Sequence, residues 1–304
     1  MTQLLNALPG ALAQGLIWGV MAIGVYITYK VLDIADLTVD GSICTGAAVC
    51  TMLLLGGQSP WLALLCAVLA GVLAGAVTGL LHVGLGIPPI LAGILTQMVL
   101  WSVNLKLLGK ANQALPARTT PVLLSQMDVG GALPVLRGFC VVLMALLVLF
   151  FGTELGCALR ATGCNPVMSR AQGVNTGLMK VVGLALSNGV VALSGALLCQ
   201  YQGYTDVNMG RGAVVIGLAA VVIGQAVLGR RGGRMAVQLG GVILGAVIYY
   251  IVYQVIIFAG FDTDLLKMFS AVVVAVFLGA PHVKAQLKAH SRSKKGDSGH
   301  AENE

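Results

Sequence analysis

Nine apolar runs, near residues 10–29, 38–56, 61–85, 88–108, 133–152, 178–200, 212–229, 236–260 and 264–280, follow one another along the chain with only short polar breaks between them. Roughly 20 apolar residues are what an α-helix needs to cross a hydrocarbon core about 30 Å thick. Inside that core no water is available to backbone amides and carbonyls, so each run must satisfy its own by coiling. The runs therefore predict an all-α, polytopic membrane protein of about eight to nine transmembrane helices. With 58% hydrophobic and 10% charged residues, the chain could not solvate the surface of a soluble domain. A single membrane domain is expected over 1–282, followed by a polar, disordered cytoplasmic tail over 283–304 that carries His290-Ser291-Arg292-Ser293-Lys294-Lys295.

The net charge of +7 does not point to nucleic acid, because the basic residues sit between the apolar runs and in the tail and not on a face interleaved with exposed aromatics. Topology accounts for them. Placing the N-terminus outside puts twelve Lys and Arg residues on the inner side, Lys30, Arg160, Arg170 and Lys180 among them, against six on the outer side. Positively charged loops resist translocation, which predicts an outer N-terminus and a cytoplasmic C-terminus. No Lys or Arg occurs in the first 29 residues, so the first helix is expected to be retained rather than cleaved as a signal peptide. The seven cysteines form no CxxC pair and no cluster with histidine, and read as free thiols packed as small apolar groups. No metal or cofactor site follows from them.

Two short segments resemble each other: Asp36-Leu37-Thr38-Val39-Asp40-Gly41-Ser42 after the first run and Asp206-Val207-Asn208-Met209-Gly210-Arg211-Gly212 after the sixth. They fall on opposite sides of the predicted bilayer. An inverted repeat of about four spans each, linked by the fifth, is expected of a transporter that alternates access around a midplane site.

The connection between the fifth and sixth runs is the most informative stretch. Its string Gly156, Ala158, Arg160, Ala161, Gly163, Asn165, Pro166, then Gly173, Val174 and Asn175 resembles the cytoplasmic coupling loop, about 154–177 here, of ATP-driven (ABC) importer permeases of the branched-chain amino acid and ribose class. A short amphipathic helix bounded by Asn165-Pro166 and Gly173 could dock in a groove on a partner and pass rigid-body motion into the spans. The resemblance implies ATPase coupling through Arg160, Ala161, Gly163, Asn165, Pro166 and Gly173. The bland alternative is that Arg160 and Arg170 only enforce topology. No GxxxxGK[ST] phosphate loop occurs in the chain, so ATP must be hydrolysed by a separate subunit.

The segment from Asp36 to Ser42, with Gly46-Ala47-Ala48 behind it, resembles the start of the second span in the same class and is closest to its tryptophan/tyrosine permease subgroup. Its Asp-Gly punctuation predicts a broken or re-entrant helix. Asp36 and Asp40 are read first as interfacial helix caps and second as substrate contacts. Gly86-Ile87-Pro88-Pro89, leading to Thr96, resembles the class's proline start to a span. Asp40, Ser42, Thr96 and Gln97 are accordingly named as substrate-pathway residues. Gly71, Gly75 and Gly79 share one helix face and predict close helix packing. His82, Asn104, Asn188, Gln200, Gln225 and Gln254 also fall within runs, where each needs a hydrogen-bond partner or water.

The resemblance implies a transport subunit with no enzymatic site of its own, receiving a small solute, an amino acid, from an extracytoplasmic binding protein. It further implies a second permease copy and separate ATPase subunits in the bacterial cytoplasmic membrane, surrounded by lipid. The alternative is a secondary transporter or channel driven by an ion gradient, which would need acids in mid-span. HExxH and Gly-x-Ser-x-Gly motifs are absent from the chain, which argues against a membrane enzyme.

Overall fold

The computed structural model describes residues 2–116, 120–228 and 234–258, with isolated helical positions at 268, 272, 275 and 279. Arg118, Gly229, Arg230 and Arg231, nearly all of the run at 264–280, and the tail over 283–304 lie outside the described residues. Helices form at the other eight apolar runs. They are α1 (Thr2–Tyr26), α2 (Val39–Leu55), α3 (Pro60–Gly84), α4 (Pro89–Leu108), α5 (Val129–Gly152), α8 (Thr176–Gln202), α9 (Ala213–Leu228) and α10 (Met235–Phe258). Two short helices, α6 (Glu154–Cys164) and α7 (Pro166–Ala171), fill the connection between α5 and α8.

Punctuation sets these limits. Pro60 opens α3 behind a Ser59 cap whose hydroxyl accepts the Leu62 amide at 3.4 Å, and Pro89 opens α4, where a missing N–H costs nothing. α4 and α8 stop at Gly109 and Gly203, with φ of 71° and 75°, left-handed positions that a side chain would strain. α1 runs on through a π-helical turn over Ile27–Val31 and then breaks at Asp33, whose φ of 55° makes it the only non-glycine residue with positive φ among those described.

At the far end of the bundle, strands β1 (Asn112–Ala114) and β2 (Tyr204–Asp206) pair antiparallel and tie the end of α4 to the end of α8. The stretch 109–131, a long polar break between the fourth and fifth apolar runs, is partly folded in. Leu115 and Leu124 are buried, the Leu123 amide donates to Gln200 Oε1 at 3.0 Å, and the Gln126 amide donates to the Tyr201 carbonyl at 3.0 Å. Leu115 stands beside Pro116, and Leu123-Leu124 is a single apolar pair, so neither belongs to a run long enough to mark it as core.

α8 is the hub, with α1, α2 and α3 packed around it. Glycines let the backbones meet: a Cβ at Gly46 would strike Ala192, one at Gly75 would strike the Leu184 carbonyl, and one at Gly195 would strike the Ile43 carbonyl. Close approach of this kind replaces the hydrophobic drive that lipid cannot supply between helices. The outer faces of α3, α4 and α5 expose Leu73, Leu80, Leu91 and Leu149, apolar side chains suited to lipid.

Among the described residues, six helices are long and apolar enough to cross a membrane, while α2 and α9 have only 17 and 16 residues. At 1.5 Å per residue they reach about 25 Å. The two short helices meet at their N-termini, beside the middle of α4.

Candidate transport-pathway site

Asp40 stands in the first turn of α2, yet it caps another helix. One carboxylate oxygen accepts the Gly212 amide at 3.0 Å and the other accepts the Val214 amide at 3.0 Å, so the acid sits on the N-terminus of α9. Each helix N-terminus carries unpaired amides and a partial positive charge, and one carboxylate between two such ends offsets both. Gly210 makes the approach possible, since a Cβ there would strike the Asp40 carbonyl oxygen, and its amide donates to Cys44 Sγ at 3.1 Å. A Cβ at Gly41 would lie 3.2 Å from Cα of Gln97, which places this junction at the ninth residue of the twenty in α4.

A cavity of about 500 Å³ opens at the junction. α2 contributes Asp40 and Cys44, α4 contributes Gln97, Trp101 and Asn104, and the turn before α9 contributes Arg211. Asn104 is 1% exposed, and both atoms of its amide lack a hydrogen-bond partner, the only such side-chain atoms among the described residues.

The four residues expected along the pathway divide. Asp40 and Gln97 line this cavity. Ser42 instead donates to Asn188 Oδ1 at 2.6 Å, and Asn188 Nδ2 donates to Asp36 at 2.8 Å, a knot that ties α8 to the start of α2. Thr96 belongs to a chain of hydroxyls running from Thr38 through Thr78 at 2.8 and 2.9 Å, in the seam where α3 and α4 meet the segment before α2. Asp36, expected as an interfacial helix cap, instead accepts the Thr38 amide at 2.9 Å in the turn ahead of α2 and is 5% exposed. An acid in the hydrocarbon costs about 2.5–3.5 kcal/mol on insertion scales, which its hydrogen bonds offset. Asn104, Trp101 and Arg211 were not singled out as pathway residues. The spacing 97, 101, 104 on one helix face could have found two of them.

At the opposite end of the bundle, Asn165 Oδ1 accepts the Val167 and Met168 amides at 3.1 and 3.0 Å and so starts α7 behind Pro166. Gly173, with φ of 82°, ends the turn that follows. Gly163 presses on the π-turn, where a Cβ would strike the Val31 carbonyl. Ala161 and Arg160 are exposed on α6, and Arg160 borders a hollow of about 150 Å³ with Tyr26, Lys30 and Gln238. Val167 and Met168 are 76% and 61% exposed. Arg170 Nε donates to Thr176 Oγ1 at 2.8 Å, which fixes α7 to the first turn of α8.

Comparison with known sequences agrees with this architecture. The family described as branched-chain amino acid transport system, permease component, matches residues 8–280. A tyrosine transport system permease protein of Clostridioides difficile (strain R20291) is 37% identical over 292 residues, covering 93% of this chain and 94% of that protein. An uncharacterized protein of Rickettsia prowazekii (strain Madrid E) is 33% identical over 279 residues, 91% of this chain and 98% of that one. The autoinducer 2 import system permease protein LsrC of Escherichia coli (strain K12 / DH10B) is 29% identical over 216 residues, 67% of this chain and 60% of its own length. No solved structure matches the chain.

Proposed function

The chain belongs to the permease-component family of branched-chain amino acid transport systems, and from that membership we propose that it imports an amino acid, aromatic by preference, through the bacterial cytoplasmic membrane at the expense of ATP hydrolysed by partner subunits. The likeness to a protein named as a tyrosine transport permease supports the choice of substrate. In this reading an extracytoplasmic binding protein delivers the solute at the strand end, a second permease copy completes the pathway, and the ATPases dock at α6 and α7 on the cytoplasmic side.

The observation that carries the reading is a continuous line of hydrogen bonds from the docking end to the cavity. Arg170 joins α7 to Thr176 of α8, Asn188 of α8 holds Asp36 and Ser42 at the start of α2, and Asp40 of α2 holds the start of α9. Rigid helices linked this way can pass a small displacement at α7 to the two half-helix ends beside the cavity. The exposed apolar pair Val167 and Met168 is the contact through which an ATPase would apply it. ATP binding and release then shift which side of the pathway is open, with no bond made or broken by this chain.

The test is co-purification of the tagged chain with its neighbouring gene products, followed by ATPase and uptake assays on wild type, Arg160→Glu with Asn165→Ala, and Val167→Asp with Met168→Asp. Uncoupling of hydrolysis from uptake in a folded permease is expected from the first pair, and loss of the ATPase from the second. A chain that purifies alone and transports under an ion gradient would overturn the reading in favour of a secondary transporter.

A further inference from the structure

The one unpaired buried side-chain amide among the described residues lines the cavity of about 500 Å³ at the helix junction, and we propose that this cavity is a substrate-selecting site within the permease itself. Asn104 and Arg211 hold the head group of an α-amino acid there, and Trp101 with Met98 covers its side chain. The inference rests on the amino acid reading above and goes beyond it by placing selection in the membrane subunit.

Burying an amide with neither its N–H nor its C=O satisfied is costly, and native interiors rarely keep one without a purpose. Every other buried polar side chain nearby is engaged: Ser42 and Asn188 with each other, and Thr96 with Thr78. Asn104 alone offers a free donor and a free acceptor together. A zwitterionic head group needs both. Arg211, exposed at the cavity wall, supplies a planar fork matched to a carboxylate. Asp40 spends one lone pair of each oxygen on α9 and retains others for an ammonium.

The remaining wall is apolar. Ile94, Met98 and Trp101 lie on one side of α4, and a cavity of about 500 Å³ falls within the range of small-molecule sites. An indole beside a thioether is a surface for a flat or bulky apolar side chain. A bare inorganic anion would leave that wall idle, and a neutral solute would leave Arg211 without a counter-charge.

The experiment uses the full complex of permease, ATPase and binding protein in proteoliposomes, and the permease with its ATPase alone in detergent. Uptake of tyrosine, leucine and alanine is measured in the first, and equilibrium binding of radiolabelled tyrosine in the second. Wild-type complex is expected to bind tyrosine without the binding protein. Asn104→Leu and Arg211→Gln should each weaken that binding by roughly tenfold or more, the effect of losing one hydrogen bond or ion pair to a charged ligand, and raise KM for uptake in parallel. Asn104→Ser, whose hydroxyl can still donate and accept a hydrogen bond, should fall between. Trp101→Ala should reduce discrimination between tyrosine and alanine. Equal recovery of the ATPase with each variant checks assembly, and Arg211, being exposed, keeps the test decisive even where an Asn104 variant fails to assemble. Unchanged binding and KM in both Asn104→Leu and Arg211→Gln, or in Arg211→Gln alone where the other does not assemble, overturns the site while the importer reading stands. Wild-type proteoliposomes that take up no amino acid overturn the functional reading first and the site with it.

Discussion

Asp40 Oδ1 accepts the backbone amide of Val214 at 3.0 Å, a hydrogen bond that spans 174 residues of sequence and joins the start of one half-helix to the start of the other. The second oxygen does the same for Gly212. The acid is therefore a cap supplied by a distant helix. Replacing Asp40 with Ala removes both acceptors and the charge that offsets two helix ends, and should lower stability by about 1–2 kcal/mol. Asp40→Asn keeps one acceptor and should lose less. Thermal unfolding of the detergent-purified protein orders wild type, Asn and Ala, and equal midpoints for all three would show that water replaces the cap.

That relationship explains which parts of the molecule were legible in sequence. All eight apolar runs that fall within the described residues form helices, because run length and composition are local properties. The break before α2 falls at Asp33, ahead of the Asp40-Gly41 pair, which lies within the first turn of α2. What Asp40 caps was not legible, since nothing at position 40 tells that the 212–214 backbone will arrive beside it. Ser42 and Thr96 matched a family pattern and were assigned to the pathway, whereas the fold turns both toward helix seams where small hydroxyls pair. Asn104 was legible as a polar residue in an apolar run. Its significance was not, because lacking a partner is a property of the packed molecule.

Asn188 is the centre of the knot between α8 and α2, accepting from Ser42 and donating to Asp36. Asn188→Ala leaves the Asp36 carboxylate, 5% exposed, short of one donor, whereas Ser42→Ala removes only a hydroxyl whose partner still bonds Asp36 and the Leu184 carbonyl. A loss of about 2–3 kcal/mol is expected for the first and about 1 kcal/mol for the second. The double change should cost less than the sum, because the two residues share one network. Denaturation midpoints of the four proteins measure the coupling, and strict additivity would rule out the network.

Glycine spacing on α3 gives a steric prediction. At Gly75 a Cβ would strike the Leu184 carbonyl and lie 2.8 Å from Cα of Ala185, so backbone must shift to admit it. Gly138, in the middle of α5, has nothing within 4 Å of such a Cβ. Gly75→Ala should therefore destabilise the protein by about 1–3 kcal/mol, and Gly138→Ala should stay within about 0.5 kcal/mol of wild type. Size-exclusion profile and thermal midpoint read both, and a tolerant Gly75 would mean that α3 and α8 can slide apart without loss.

Orientation can be read from two cysteines. Cys157 and Cys164 are exposed on α6, beside the proposed ATPase contact, while Cys44, Cys50, Cys140 and Cys199 are buried and Cys66 is half-buried on a helix within the bilayer. A charged maleimide needs an aqueous thiolate and cannot enter lipid, so it should reach only the α6 pair. If α6 faces the cytoplasm, the reagent labels inside-out vesicles and leaves intact cells unlabelled. Cys157→Ser with Cys164→Ser should abolish the signal, and bound ATPase should protect Cys164 in the vesicles, because it is one residue from the Asn165 cap of α7. Labelling of intact cells that disappears in the double variant would place α6 and α7 outside, where no cytoplasmic ATPase could reach them, and the coupling assignment would fall with the topology.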